Sequence, residues 1–499
     1  MMHRKWTDQT SVRRLAILIS VILIGVWPRW HALTLDARLH PDEALFSTFA
    51  RRAALNGDWL LPGALDKPPL SIYAISLSMI PFTEWRADGL PDLRLRLAEL
   101  AARAPSAFAS LLIIPLVYIA AHRLYDEETA LLAAALTSLS PFLVAFSATA
   151  FTDGLMLMWL AAALACAGGG RALWAGVCLA LGFACKPQAL LFVPLVMAVI
   201  GLRCGLRWRS FAHALWPIAI TSAALLLWDG ARAQPTGFFV LGFVNNDPFS
   251  PIGSDDILPR LAVWTAHFSA MLHPATWLFV GLAVTAWAAR VFNHRWRGLA
   301  VDLTLGGWCI AYGLLHWLTA INTYDRYLLP LALPFMLLAA RGALALLHWW
   351  RRRLPVPEFA AASIVVLLVM WGSTQTAADG QLDVGADRDK HEGIDRLAQY
   401  LDALPLGTIL YDRWLGWELD FYLGQWSDKR RVYYPTPDVL AADALLQPDP
   451  APRYFVAPRW EDAQPWLSAL DAAGFSPELE VRLGHFEVYR LLPPLRQDG

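Results

Sequence analysis

Lysine is scarce in this chain: only Lys5, Lys67, Lys186, Lys390 and Lys429 contribute to its 41 lysines and arginines. The generic cation here is arginine, so Lys67 and Lys186, each standing directly before a proline, are marked out. Charge of either sign is thin at 17% of residues, against 57% hydrophobic residues and a mean hydropathy of +0.40. That balance excludes an ordinary soluble domain and predicts a mainly α-helical, polytopic membrane protein. The five cysteines, Cys166, Cys178, Cys185, Cys204 and Cys309, lie in or beside apolar segments without CxxC spacing. They exclude a disulfide framework and a thiolate zinc site. No HExxH pattern and no GxxxxGK[ST] loop occur, so an ATP-driven mechanism has no support.

What is present is a series of apolar segments. The first, residues 15–33, follows Arg4, Lys5, Arg13 and Arg14 and is read as an uncleaved span, with Trp27 and Trp30 at its outer interface and Arg29 snorkelling there. Further segments lie near 104–121, 130–147, 151–168, 172–185, 187–202, 211–229, 261–289, 300–319, 328–348 and 358–375, about eleven spans in all. With a cytoplasmic N-terminus, Arg203, Arg207 and Arg209, then Arg290, Arg295 and Arg297, then Arg351, Arg352 and Arg353 fall inside, as the positive-inside rule requires. The first loop, 34–103, and the C-terminal region then lie outside. Residues 376–499 carry 12 lysines or arginines against 21 acidic residues, an acidic domain on a basic membrane body. The division expected is 1–375 and 376–499. The second part alternates helical patterns at Glu392–Leu404, Val439–Leu446 and Trp460–Ala473 with strand-like 408–412, 431–434, 453–457 and 486–491, a small α/β domain. Its Trp414, Trp417 and Trp426 are read as core and interface aromatics, with headgroup or substrate contact as the alternative.

The chemistry concentrates in His40–Leu70, the longest polar interruption between the first two apolar segments. It opens on Asp42 and Glu43 at a helix start and closes on Asp66-Lys67-Pro68-Pro69, where proline fixes φ. An acid at one end and a cation at the other suit a site that activates a hydroxyl and neutralises a departing phosphate. The orientation brings Asp153, Lys186, Arg103 and Arg326 to the same outer side. Each also has a plain structural reading: Pro-Asp-Glu is an ordinary helix opening, Asp153 follows Thr152 as in a cap, Asp66 and Lys67 could be a local ion pair, and Lys186 could snorkel.

Several of these residues fall in ordered motifs. His40-Pro41-Asp42-Glu43-Ala44, Asp66-Lys67-Pro68-Pro69-Leu70, Ala102-Arg103-Ala104-Pro105-Ser106, Thr152-Asp153 and Asp325-Arg326-Tyr327-Leu328-Leu329-Pro330 together resemble those of GT-C glycosyltransferases. The closest group is the protein O-mannosyltransferase and lipid A aminoarabinose transferase superfamily, and the likeness covers most of 15–350. It implies a membrane-embedded transferase that uses a polyprenyl-phosphate-linked sugar with inversion at the anomeric carbon. Asp42 matches the catalytic acid of the first loop and Glu43 its neighbour, while Asp153 matches a second acidic position that joins the first around a metal ion in some relatives. Lys67 matches the cation of the KPP motif. Asp66 stands where aminoarabinose transferases tend to have Glu, a shorter reach, so the resemblance does not carry their acceptor or donor specificity over to this chain. Arg326, with Tyr327 beside it, matches the arginine expected near the lipid phosphate.

The residue types fit that chemistry independently. A carboxylate within reach of an acceptor hydroxyl supplies on the order of 10²–10⁴-fold, which is the part given to Asp42. Lys67 and Arg326 would clamp the leaving phosphate, with Arg103 or Lys186 in support. No cofactor is required, because the lipid phosphate already activates the donor. A divalent ion shared by Asp42 and Asp153 is the metal alternative. The partners expected are the bilayer, the lipid-linked donor and a cell-envelope acceptor such as lipid A, another glycan or a protein, with no nucleic acid. The competing readings are a transporter or flippase of the same lipid-linked sugar, and a glycan ligase or polymerase. Few central charges and no matched pair of broken helices speak against transport.

Overall fold

The computed structural model describes residues 2–85, 87, 91–292, 298–350, 368–385, 387–423, 429–432, 436–446 and 451–494. The chain divides into two compact units. The first comprises Met1–Leu35, Arg52–Asp92 and Leu100–Gly385, and the second Asp36–Arg51, Leu93–Glu99 and Ala386–Gly499. Two stretches of the first loop thus belong with the C-terminal region, an allegiance that a linear reading of hydropathy does not reveal.

The first unit is helical. Among the described residues six helices are long and apolar enough to cross a membrane: Val12–Thr34, Leu95–Leu124, Pro187–Cys204, Trp208–Ala231, Leu299–Leu318 and Asp325–Trp350. The expected span at 261–289 is instead a pair, Ser254–Leu272 and Thr276–Phe292, bent by 87°. The hydrophobic run continues through His273-Pro274, and proline cannot carry a helix through that point. The segment at 130–147 is also interrupted. The helix Glu127–Leu139, opened by Asp126 accepting the Thr129 N–H at 2.9 Å, ends at Ser140, and Ser140 in turn caps the short helix Pro141–Ala145. The expected span at 358–375 lies partly outside the described residues, as do Arg295, Arg297 and Arg351 to Arg353. Shorter apolar helices occupy Asp153–Gly168 and Ala172–Cys185.

These helices pack through small residues, as membrane helices do when dispersion and close approach replace the hydrophobic effect. Gly176 faces the backbone of Ala214, where an added Cβ would come within 2.2 Å of the carbonyl oxygen. Arg29 corrects an expectation. It is 1% exposed and does not snorkel. Its guanidinium donates to Ser110 Oγ at 2.8 Å, to the carbonyl of Gly25 at 3.0 Å, to that of Ser138 at 2.9 Å and to that of Thr137 at 3.1 Å. A donor fork with all three of its nitrogens engaged inside the bundle ties three helices together, and no charge is carried to the interface. Trp27 and Trp30 are each 58% exposed, consistent with outward-facing aromatics.

In the second unit the C-terminal region forms a five-stranded sheet. Its strands are β3 (Ile409–Asp412), β4 (Arg430–Val432), β5 (Arg453–Pro458), β6 (Ser476–Leu483) and β7 (Phe486–Leu492), after the short β1 (Glu84–Trp85) and β2 (Pro91–Asp92) of the first loop. The order is β4-β3-β5-β7-β6, with β3 parallel to β4 and β5 and with β7 antiparallel to β5 and β6. Helices Ile394–Asp402, Pro437–Leu446 and Gln464–Ala472 match the expected patterns. The core gathers Ile409, Tyr411, Phe455, Trp466, Leu470 and Phe475. The helix Gly416–Tyr422 and strand β6 were not foreseen. The sequence of β6, SPELEVRL, is an exposed edge strand whose charges suit that position and hide its alternation. The end of the strand expected at 431–434, and Trp426, lie outside the described residues.

Candidate active site

In the first unit the sequence builds a polar cluster at the ends of several helices. Lys67-Pro68-Pro69 leads into the helix Leu70–Met79. The Ser71 hydroxyl of that helix donates to the carbonyl of Thr152 at 3.3 Å, directly before Asp153. Asp153 opens the helix Asp153–Gly168, where a carboxylate is favoured by the dipole. Its neighbour Gly154 is there for close approach, since a Cβ would lie 2.7 Å from Ser106 Oγ and 2.9 Å from Ser106 Cβ. Lys186 terminates the helix Ala172–Cys185 in extended conformation, as a residue before proline must.

These elements join two buried charges. The Lys186 ammonium donates to Asp153 Oδ1 at 2.7 Å, with the side chains 6% and 3% exposed. Lys186 neither snorkels nor stands alone, and Asp153 spends its carboxylate on this partner and not on capping its helix. Lys186 Nζ also sits 4.5 Å from the Tyr327 ring centroid, a cation–π contact of the desolvated kind. The charges of Arg326 and Lys67 bear on the same ammonium. Lys67 pairs with Asp66, and Asn245 Nδ2 donates to Asp66 Oδ2 at 3.4 Å. The Arg326 guanidinium lies 4.6 Å from the Phe151 ring centroid and 4.7 Å from that of Tyr324. Arg103, on the helix Leu95–Leu124, is 2% exposed.

Asp66, Lys67, Lys186 and Tyr327 line one cavity of about 250 Å³. Its other walls include Phe239, Phe243 and Phe249, an apolar surface beside a cationic one. The combination suits an amphiphile with a charged head, where the cations meet an anion and the aromatic wall meets hydrocarbon. The loop that carries Lys67 is held from a distance. Buried Arg232 donates to the carbonyl of Leu61 at 3.1 Å and to that of Gly63 at 2.6 Å, and pairs with Asp229 at 3.0 Å. Gln188 braces the Tyr327 backbone, its amide donating to that carbonyl at 3.0 Å while the Tyr312 hydroxyl donates to the same oxygen at 2.6 Å. Arg232, Gln188, Tyr312 and Asn245 were missed because each reads as an ordinary polar residue of a span or a connecting segment. Only the fold assigns them a carbonyl or a carboxylate to hold.

Asp42 and Glu43 belong to the second unit. They occupy the first turn of the helix Pro41–Asn56. Glu43 is fully buried and accepts the His40 N–H at 3.0 Å, the reaching-back half of a capping box. The Asp42 N–H donates to His40 Nδ1 at 3.1 Å. In the same unit Asp412, at the end of β3, is pushed up to about 6, chiefly by burial. Glu418 is also raised by burial, which the hydrogen bond and charge of His391 oppose.

Of the two acids named for a divalent ion, Asp153 holds the Lys186 ammonium, and among the described residues no group of three His, Cys, Asp or Glu able to bind a cation occurs.

Comparison with known proteins converges on one assembly of traits. The family model for dolichyl-phosphate-mannose-protein mannosyltransferase matches residues 66–228. The undecaprenyl phosphate-alpha-4-amino-4-deoxy-L-arabinose arabinosyl transferase of Erwinia tasmaniensis is 25% identical over 370 residues, 68% of this chain and 63% of that protein. Its counterpart in Edwardsiella ictaluri is 25% identical over 388 residues, covering 71% and 66%. The chain therefore spans less than two thirds of the length of these curated relatives. ArnT from Cupriavidus metallidurans, in a crystal structure bound to undecaprenyl phosphate, shares the fold with a TM-score of 0.61 at 17% identity, covering 98% of this chain and 99% of that one. The oligosaccharyltransferase of Archaeoglobus fulgidus aligns with a TM-score of 0.56 at 13% identity, over 93% of this chain and 72% of that one. A helical membrane body with a C-terminal sheet domain is thus the fold that this chain shares with ArnT, and residues 66–228 match the mannosyltransferase family model.

Proposed function

We propose that the chain is a membrane glycosyltransferase that moves a sugar from a polyprenyl-phosphate-linked donor to a periplasmic acceptor, with inversion. The observation that carries this reading is the cavity in which Lys67 and Lys186 sit beside an aromatic wall, with Arg326 and Tyr327 alongside. An acceptor hydroxyl attacks the anomeric carbon as its proton passes to Asp42. The bond from that carbon to the phosphate oxygen breaks, and the polyprenyl phosphate leaves with the electron pair. Lys67 and Arg326 take up the growing charge, with Arg103 and Lys186 in support, and charge-assisted contacts of this kind are strong where water is excluded. Asp66 holds Lys67, Glu43 fixes the turn that carries Asp42, and Asp153 fixes Lys186. No step needs a metal or a nucleotide-sugar.

About eleven spans, with the first loop and the C-terminal region in the periplasm of a bacterial inner membrane, complete this reading. The curated relatives are named for an undecaprenyl-phosphate-linked sugar, which supports such a donor here, and lipid A or another envelope component is the acceptor proposed. The test is to incubate the purified chain with radiolabelled undecaprenyl-phosphate sugars and membrane acceptors. Label entering the acceptor with inverted anomeric configuration supports the proposal. Label crossing sealed vesicles in the absence of any acceptor, with no transfer when one is supplied, would establish transport and overturn it.

A further inference from the structure

Among the contacts that hold the segment carrying Asp42 to the C-terminal region is a phenol that bonds to two groups at once. The Tyr422 hydroxyl accepts the backbone N–H of Leu39 at 2.9 Å and donates to Glu99 Oε1 at 2.6 Å. Glu99 is 1% exposed, and both its carboxylate oxygens accept from Arg38 Nη1 at 3.1 Å. Arg38 pairs further with Asp36 and, at 3.4 Å, with Asp395 of the helix Ile394–Asp402. One residue before Tyr422, the carbonyl of Phe421 accepts from Arg51 at 3.0 Å, and Trp417 of the same short helix packs on Phe49 with ring centroids 6.2 Å apart. The helix Gly416–Tyr422 therefore grips both the approach to Asp42 and the helix that follows it.

This network continues to the acid itself. Leu39 precedes His40, whose N–H is capped by Glu43 and whose Nδ1 accepts the Asp42 N–H. The His40 ring meets His391 edge-on at 5.5 Å, and His391 Nδ1 lies 2.8 Å from Glu418 of the Gly416–Tyr422 helix. Buried hydrogen bonds to charged groups in a connected network set one geometry, because each member left unpaired is costly. A hydroxyl that both accepts from a backbone amide and donates to a buried carboxylate has one orientation, and it transmits that orientation to the chain two residues before a helix start.

We infer that Tyr422 is a positioning residue for Asp42, and that the C-terminal region acts in the reaction by holding the first-loop acid in place. The inference rests on the reading of Asp42 as the base. It gives the C-terminal region a defined task and predicts that disturbing this region affects turnover more than substrate affinity.

The test uses the full-length chain in detergent or nanodiscs and the conservative variant Tyr422→Phe, which keeps the ring and removes the hydroxyl. Hydrogen exchange of the 36–44 backbone should quicken selectively. The kcat for transfer from an undecaprenyl-phosphate sugar should fall about tenfold, the loss of roughly one hydrogen bond, with KM for donor and acceptor unchanged. In the Asp42→Asn background Tyr422→Phe should cost little more, because residues acting through one another are non-additive. Unchanged exchange over 36–44, or fully additive losses, overturns the inference. Full transfer by Asp42→Asn alone would sink the base reading. Exchange then decides the anchoring separately: a selective increase upholds it and an unchanged pattern overturns it.

Discussion

Lys186 and Asp153 meet at 2.7 Å, ammonium to carboxylate, with both side chains almost wholly enclosed. A pair of this kind adds little net stability as a unit but is costly to break, because the surviving charge is left buried and uncompensated. Lys186→Met should therefore destabilise the chain by about 3–5 kcal/mol. The double variant Lys186→Met, Asp153→Leu should recover most of that loss. Thermal unfolding in detergent checks both, and a double variant as unstable as the single one would contradict the pairing.

Lys67 lines the cavity and is expected to meet the donor phosphate. Lys67→Gln should lower kcat/KM for a polyprenyl-phosphate sugar by about 10²-fold or more, the order lost with a single donor to a developing oxyanion. Lys67→Arg should restore only part of it, since a planar fork does not replace a compact ammonium in a tight site. Steady-state kinetics with varied donor separates the two.

Gly154 leaves no room for a side chain against Ser106. Gly154→Ala should cost about 1–3 kcal/mol by overpacking and should reduce transfer through displacement of Asp153. Adding Ser106→Gly removes the atoms in the way and should restore stability, read as recovery of the unfolding midpoint.

Asp412 provides a pH dependence with a definite sign. Burial raises its pKa to about 6 in the folded chain, against about 3.9 for an exposed aspartate. The folded state thus holds its proton more tightly than the unfolded one. The stability this gives is complete below about pH 4, is lost as pH rises through about 6, and amounts to roughly 3 kcal/mol. Asp412→Asn still offers an oxygen to the Leu415 N–H, which Asp412 Oδ1 accepts at 3.1 Å, but cannot titrate. Its unfolding midpoint should change less between pH 4 and 7 than that of the unaltered chain.

Four residues that the sequence singles out, Asp66, Lys67, Lys186 and Tyr327, line one cavity, and the reasons they were legible differ residue by residue. Lys67 and Lys186 stood out because lysine is rare and both precede proline, and both line the cavity. Tyr327 was legible only through the motif around Arg326. Arg29 was misread because a cation near a tryptophan pair looks like snorkelling, whereas Ser110 and the carbonyls of helix ends, far away in sequence, take its donors. The bend at His273 was hidden by a run whose hydropathy continues through it. The joining of 36–51 to the C-terminal region depends on contacts such as Leu39 with Tyr422, separated by 383 positions. No local pattern encodes a pairing of that range. Spans and caps, by contrast, are set by neighbours in sequence, as at Asp126 and Thr129.

The central claim is transfer from a lipid-phosphate sugar with Asp42 as base, and it is tested most directly by the rate of label transfer with Asp42→Asn. The exchange replaces a carboxylate by an amide of the same shape. Transfer should fall by about 10²–10⁴-fold at unchanged folding. Transfer by Asp42→Asn at the rate of the unaltered chain would contradict the account.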